Sequence, residues 1–171
     1  SVTYNLNTMK KTRHIILLWC CCLAAFSARS QSLVLNPSFE VVTACPGGIS
    51  EFPLVVDWST GNSGSNSCTT TDIYATCSPL NGGANSPNAL LGYQPSRTGT
   101  NHAGIILAEG QSSCNLTNDN YREYIQGRTS SPLVAGQSYI VRFYVSLPED
   151  IMAGSDDIGV YFSNTLYMRD G

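Results

Sequence analysis

Residues Ser138 to Leu147 read S-Y-I-V-R-F-Y-V-S-L, and they alternate from end to end. Tyr139, Val141, Phe143 and Val145 fall on one side, and Ile140, Arg142, Tyr144 and Ser146 on the other. A period of two carried by β-branched and aromatic residues is the pattern of a strand, not of a helix. Ala135-Gly136-Gln137 supplies a turn before it. Pro148 ends it, because proline has no N–H to give a ladder. The expectation is a central strand of an antiparallel β-sandwich.

The rest of the chain suits that class. No window of helical length carries a 3.6-residue period. Shorter strands are expected at Ser32–Leu35, Phe52–Trp58, Asp72–Thr76, Ala103–Ala108, Tyr121–Gln126 and Asp157–Ser163. Between them lie polar stretches rich in glycine, proline, serine and asparagine, which are loop material. Ala103–Ala108 is apolar on both faces and is expected to be central. Six or seven strands with long connections point to an all-β sandwich of the jelly-roll kind in one domain, residues 31–171.

The first thirty residues read differently. Met9 precedes the basic run Lys10-Lys11-Thr12-Arg13-His14, then an apolar run from Ile15 to Phe26, then Ser27-Ala28-Arg29-Ser30. A basic start, an apolar middle and small residues at −3 and −1 make a secretory signal peptide over 9–30, with cleavage before Gln31. Residues 1–8 then read as upstream sequence translated in frame. The competing reading is a membrane anchor, but twelve apolar residues extend about 18 Å as a helix against a hydrocarbon core of about 30 Å. Cys20, Cys21 and Cys22 lie inside the apolar run, behind Trp19, and so do not suit a lipoprotein site. The expected location is outside the cytoplasm: periplasmic, outer-membrane-associated or extracellular.

Export changes what the composition means. Beyond residue 30 there are five arginines, no lysine and all twelve acidic residues, a net charge of −7. A chain so poor in basic residues is a poor partner for nucleic acid or for an anionic membrane surface. Four cysteines remain: Cys45, Cys68, Cys77 and Cys114. An even number in an exported chain reads as two disulfides with three possible connectivities. Cys45–Cys77 with Cys68–Cys114 is the pairing expected. Zinc is a weak reading, since there is no C-x-x-C and His102 stands twelve residues from the nearest cysteine.

Catalysis has little to stand on. His102 is the one histidine beyond residue 30, and no nucleophile motif accompanies it. It reads as a structural or surface residue. Glu149-Asp150 and Asp156-Asp157 are adjacent and loop-borne, so they read as solvated acids rather than a glycosidase pair. Sugar binding is better served. Arg122, Tyr124 and Gln126 share one face of their strand, and Arg142 and Tyr144 share one face of theirs. If those strands pair with the faces aligned, tyrosines and arginines gather on one sheet surface, where a sugar ring can stack on an aromatic and bond a guanidinium. Ordinary cross-strand packing is the plainer account of the same residues.

The opening L-V-L-N-P-S-F-E and the later L-V-A-G-Q-S-Y-I-V-R-F-Y-V-S resemble jelly-roll carbohydrate-binding modules. A longer ordered series runs through nearly the whole mature chain: N-P-S-F-E, Cys45-Pro46, Asp57-Trp58, Tyr74 to Pro79, Gly92-Tyr93-Gln94, Arg97-Thr98-Gly99, Ala103-Gly104-Ile105, Tyr121 to Gln126 and Asp157 to Ser163. As a set they resemble the N-terminal, galactose-binding-like domains of exported Bacteroidetes surface proteins, which continue into peptidoglycan-binding or type IX secretion sorting domains. The resemblance implies a structural calcium held by Glu40 and further C-terminal domains. It also implies a closing strand ending in a D-D-V-type signature, so the chain reads as truncated at Gly171, with its final strand missing. The expected function is a non-catalytic recognition or adhesion module, with glycan the leading ligand. The alternatives are a structural or protein-binding domain of a cell-surface protein, and an accessory domain of a secreted hydrolase.

Overall fold

The structure is a computed structural model that describes residues 31–63, 71–107, 122–152, 154–155, 158–167 and 169–170. The expected signal peptide, Cys68, Cys114, Tyr121 and Asp156-Asp157 lie outside the described residues. The chain divides into two units, Ser1–Ser32 and Leu33–Gly171.

The second unit is all-β, with almost no helix. In chain order the strands are β1 (Trp58–Thr60), β2 (Asn62–Ser63), β3 (Asp72–Ala75), β4 (Asn88–Ala89), β5 (Gly92–Tyr93), β6 (Asn101–Gly104), β7 (Ile125–Gly127) and β8 (Arg169–Asp170). They form four two-stranded sheets. β1–β7, β3–β6 and β4–β5 are antiparallel, and β2–β8 is parallel. Among the described residues no helix is long and apolar enough to cross a membrane.

The core begins with the N-P-S-F-E turn. Asn36 and Phe39 both have positive φ, 45° and 62°, a conformation that asparagine tolerates well and phenylalanine poorly. The turn is held by the Asn36 side chain. Its Nδ2 donates to the Val41 and Val56 carbonyls, each at 2.9 Å, and its Oδ1 accepts from Val41 N–H at 3.1 Å. The turn throws Phe39 inward against Trp58, with ring centroids 4.7 Å apart, and edge-on to Phe52 at 6.1 Å. Phe52, Val55 and Ile73 form the buried centre, packed by Phe39, Val42, Trp58, Ala103 and Ile125. Trp58 satisfies its indole N–H on the Leu35 and Asn36 carbonyls at 3.1 and 2.9 Å. Its ring lies on β7 at Gly127, where a Cβ would stand 2.8 Å from it.

Several expected strands shift. Phe52–Leu54 is a 3-10 turn rather than the start of a strand, and Pro53 accounts for it. A proline at the first turn costs no hydrogen bond, because that N–H would be unpaired anyway. The strand expected at Ala103–Ala108 lies at Asn101–Gly104 and pairs, among the described residues, with β3 alone, so it is not central. The strand expected at Tyr121–Gln126 begins at Ile125. Near the start, the chain makes a bridge from Val34 to Thr129 rather than a full strand.

The largest difference falls on Ser138–Leu147. These residues belong to no strand and are exposed throughout. Ile140 is 89% exposed, Phe143 49% and Val145 65%. No backbone hydrogen bond joins them to any described residue. Residues 158–163 are likewise outside any strand and mostly exposed. Alternation states which side chains a strand would present, but strand stability comes from cross-strand partners. β7 pairs with β1, and no described strand pairs with 138–147.

Candidate functional site

The loop between β5 and β6, residues 94–100, is pinned at several points, and each pin is a specific residue. Gln94 N–H donates to the Pro87 carbonyl at 2.8 Å. Ser96 Oγ meets His102 Nδ1 at 3.0 Å. At the far end the Glu40 carboxylate accepts from Thr100 N–H at 3.0 and 3.1 Å, from Thr100 Oγ1 at 2.8 Å and from Asn101 N–H at 3.0 Å. Asn101 Nδ2 returns to the Phe39 carbonyl at 3.0 Å. Gly99 has φ +68° and faces Glu40 so closely that a Cβ would overlap the carboxylate. The N-P-S-F-E turn therefore anchors this loop as well as seating the core.

The loop presents Arg97. Its guanidinium carbon sits 3.4 Å from the centroid of the Tyr144 ring, on the exposed 138–147 segment. The segment is brought near by a second close approach: a Cβ at Gly92 would stand 2.9 Å from the Asp150 nitrogen. The result is a surface aromatic with a guanidinium over one face, an arrangement worth about 0.5–1 kcal/mol at an exposed site.

Beneath the loop lies a polar layer. His102 stands opposite Tyr74 across the β3–β6 pair, and the rings stack at 5.0 Å. Burial pushes the His102 pKa down from 6.5, which favours the neutral ring. Tyr74 OH donates to Asp72 Oδ2 at 2.8 Å, and Asp72 Oδ1 accepts from Ser50 N–H at 2.5 Å. Burial, followed by the nearby Asp72 charge, pushes the Tyr74 phenol well above its ordinary value. Burial also raises the Asp72 carboxyl, opposed by its Ser50 and Tyr74 hydrogen bonds. Glu123, 3% exposed, accepts from Ile106 N–H at 2.8 Å. Among the described residues no carboxylate bonds the His102 ring, so the Ser96–His102 contact lacks the group that would orient a base.

The residues expected to share one sheet face are dispersed. Gln126 is consumed by its neighbours: Nε2 donates to the Thr60 and Tyr167 carbonyls at 3.1 and 2.8 Å, and Oε1 accepts from Tyr167 N–H at 3.0 Å. Tyr124 packs its Cβ against Gly61 and accepts from Gly61 N–H through its carbonyl at 3.0 Å. Arg122 is exposed near them, while Arg142 and Tyr144 lie on the unpaired segment. Strand pairing does not align the two faces, because β7 faces β1. Tyr144 meets Arg97 instead. That partner was visible in the sequence only as part of the R-T-G turn.

Glu40, which the resemblance implies for calcium, is engaged by hydrogen-bond donors among the described residues. Those N–H and O–H groups direct hydrogens at both of its oxygens. Away from the loop, the Cys45 and Cys77 sulfurs stand 2.11 Å apart, at disulfide distance. No protein-family model, curated protein or solved structure matches the chain.

Proposed function

We propose that the chain is an exported, non-catalytic recognition module of jelly-roll type, stapled by Cys45–Cys77, that binds glycan on the Arg97–Tyr144 surface. The observation that carries this reading is the 3.4 Å approach of the Arg97 guanidinium to the Tyr144 ring. Arg97 covers one face of the ring and leaves the other for a sugar, whose hydroxyls the remaining guanidinium N–H groups can reach. The loop that delivers Arg97 is held by charge-assisted hydrogen bonds to Glu40, so the platform is positioned before any ligand arrives. A disulfide fits an oxidising compartment, and the low count of basic residues fits a neutral polymer better than a polyanion. No calcium is part of the proposal.

A structural or protein-binding role is the second reading. The observation behind it is the exposure of the apolar 138–147 segment, which is a larger apolar surface than a sugar site requires.

The test is affinity electrophoresis on a broad panel of polysaccharides. Retardation of the wild type by at least one glycan, lost in Tyr144→Ala with the circular-dichroism spectrum unchanged, supports the glycan reading. Free migration of the wild type on the whole panel overturns it in favour of the second.

A further inference from the structure

We infer that Tyr161 and Tyr167 form a site of oxidative modification, at which a haem peroxidase acting with hydrogen peroxide joins the two rings as dityrosine. Their ring centroids lie 6.0 Å apart at an interplanar angle of 61°, edge to face. Both are open to solvent, Tyr161 78% exposed and Tyr167 51%. Among the described residues no other two tyrosine rings are in contact. Tyr74 is buried and stacks on His102, and Tyr144 lies under Arg97.

Local hydrogen bonds hold the pair together. Tyr167 is clamped through its backbone by the Gln126 amide, whose Nε2 donates to the Tyr167 carbonyl at 2.8 Å and whose Oε1 accepts from Tyr167 N–H at 3.0 Å. Gln126 belongs to β7 and is itself fixed on the Thr60 carbonyl at 3.1 Å. Just beyond Tyr167, β8 pairs with β2. Between the two rings Ser163 Oγ accepts from Thr165 N–H at 3.1 Å, a side-chain bond two residues on that favours a turn. Exposed side chains rotate within nanoseconds, so the rings reach a coupling approach while this backbone stays in place.

The chemistry balances on one equivalent of peroxide. The oxidant takes one electron and the phenolic proton from each ring, leaving two phenoxyl radicals with spin density on the carbons ortho to oxygen. A C–C bond forms between one ortho carbon of each ring. The hydrogen on each of those carbons then shifts to the phenol oxygen, which restores both aromatic rings. In all, the protein loses two electrons and two protons, and hydrogen peroxide takes them up to become two waters. Two rings held side by side in one chain couple ahead of rings that must first meet by diffusion, so the product at low concentration is an internal crosslink rather than a dimer. The site uses neither Arg97 nor Tyr144 and does not rest on the glycan reading.

The test is treatment of the full chain, at low micromolar concentration, with a haem peroxidase and hydrogen peroxide. The monomer fraction should gain the blue fluorescence of dityrosine. The tryptic peptide from Phe143 to Arg169 should lose two hydrogens and give no backbone fragments from between residues 161 and 167. Tyr161→Phe and Tyr167→Phe keep the ring and remove the phenol, and each should lose both signals. Tyr93→Phe, at an exposed tyrosine outside the pair, should retain them. A wild-type monomer that gains no dityrosine overturns the proposal. So does dityrosine confined to covalent dimers, or an internal crosslink that maps to other tyrosines.

Discussion

Glu40 and Thr100, separated by sixty positions in sequence, are joined by three hydrogen bonds to one carboxylate: two from the Thr100 N–H and one from its hydroxyl. Hydrogen bonds to a charged acceptor contribute more than neutral ones, about 1.5–3 kcal/mol each. Glu40→Gln keeps the shape but loses the charge and turns a donor toward Thr100. It should lower the unfolding free energy by about 1–3 kcal/mol, as read by urea titration. Gly99→Ala should fall in the same range or beyond. It strains a positive φ and crowds the same carboxylate. A stability equal to wild type in both variants would show that the anchor contributes nothing.

The Cys45–Cys77 pair spans 32 positions. Closing such a loop restricts the unfolded chain by about 3–4 kcal/mol in the entropy model. The Cys45→Ser, Cys77→Ser double variant should therefore melt well below wild type. Reduction should lower wild type at least as far, and under reducing conditions wild type and the double variant should melt nearly together. Peptide mapping without reduction should recover a Cys45–Cys77 linked fragment.

His102 carries a pH dependence. Its folded pKa lies below the ordinary 6.5 because burial disfavours the charged ring. The unfolded chain thus binds the proton more readily near and below pH 6.5, and stability rises with pH across that window. Asp72 works in the opposite sense, since burial raises its pKa above 3.8 and stability falls as it ionises. Denaturation midpoints of wild type and His102→Asn measured from pH 5 to 8 should separate the two. The variant should lose the wild-type rise near and below pH 6.5. An identical slope in both proteins would remove His102 from the account.

Much of the fold was legible because it depends on local chemistry. The N-P-S-F-E turn rests on residues whose roles are short-range: an asparagine for the bent backbone and an aromatic that is buried. Trp58, the last residue of the expected Phe52–Trp58 strand, is half-buried against the core. Asp72–Ala75 was placed within a residue of its observed end, since its partners do not alter its own pattern. The segment 138–147 shows the limit of the same logic. Its alternation gives the two faces of a strand but is silent about what lies beside it, and pairing is a property of two stretches. The arginine beside Tyr144 was missed for a similar reason. Arg97 comes from a loop whose course is set by Glu40, and neither periodicity nor spacing encodes a contact between residues so far apart. Pro53 offered a clear signal that a turn rather than a strand begins at Phe52.

Trp58 is the one tryptophan beyond residue 30. Its indole N–H is held by the carbonyls of Leu35 and Asn36, and its ring is wedged between Phe39 and the backbone at Gly127. Three distant parts of the chain meet on that chromophore. In a protein cleaved after residue 30, intrinsic fluorescence excited at the indole band would come from this junction alone. A red shift would report the N-P-S-F-E turn lifting away. Rearrangement of the 138–147 segment would leave the emission unchanged. The molecule thus carries an optical probe that distinguishes opening of its core from events on its exposed surface.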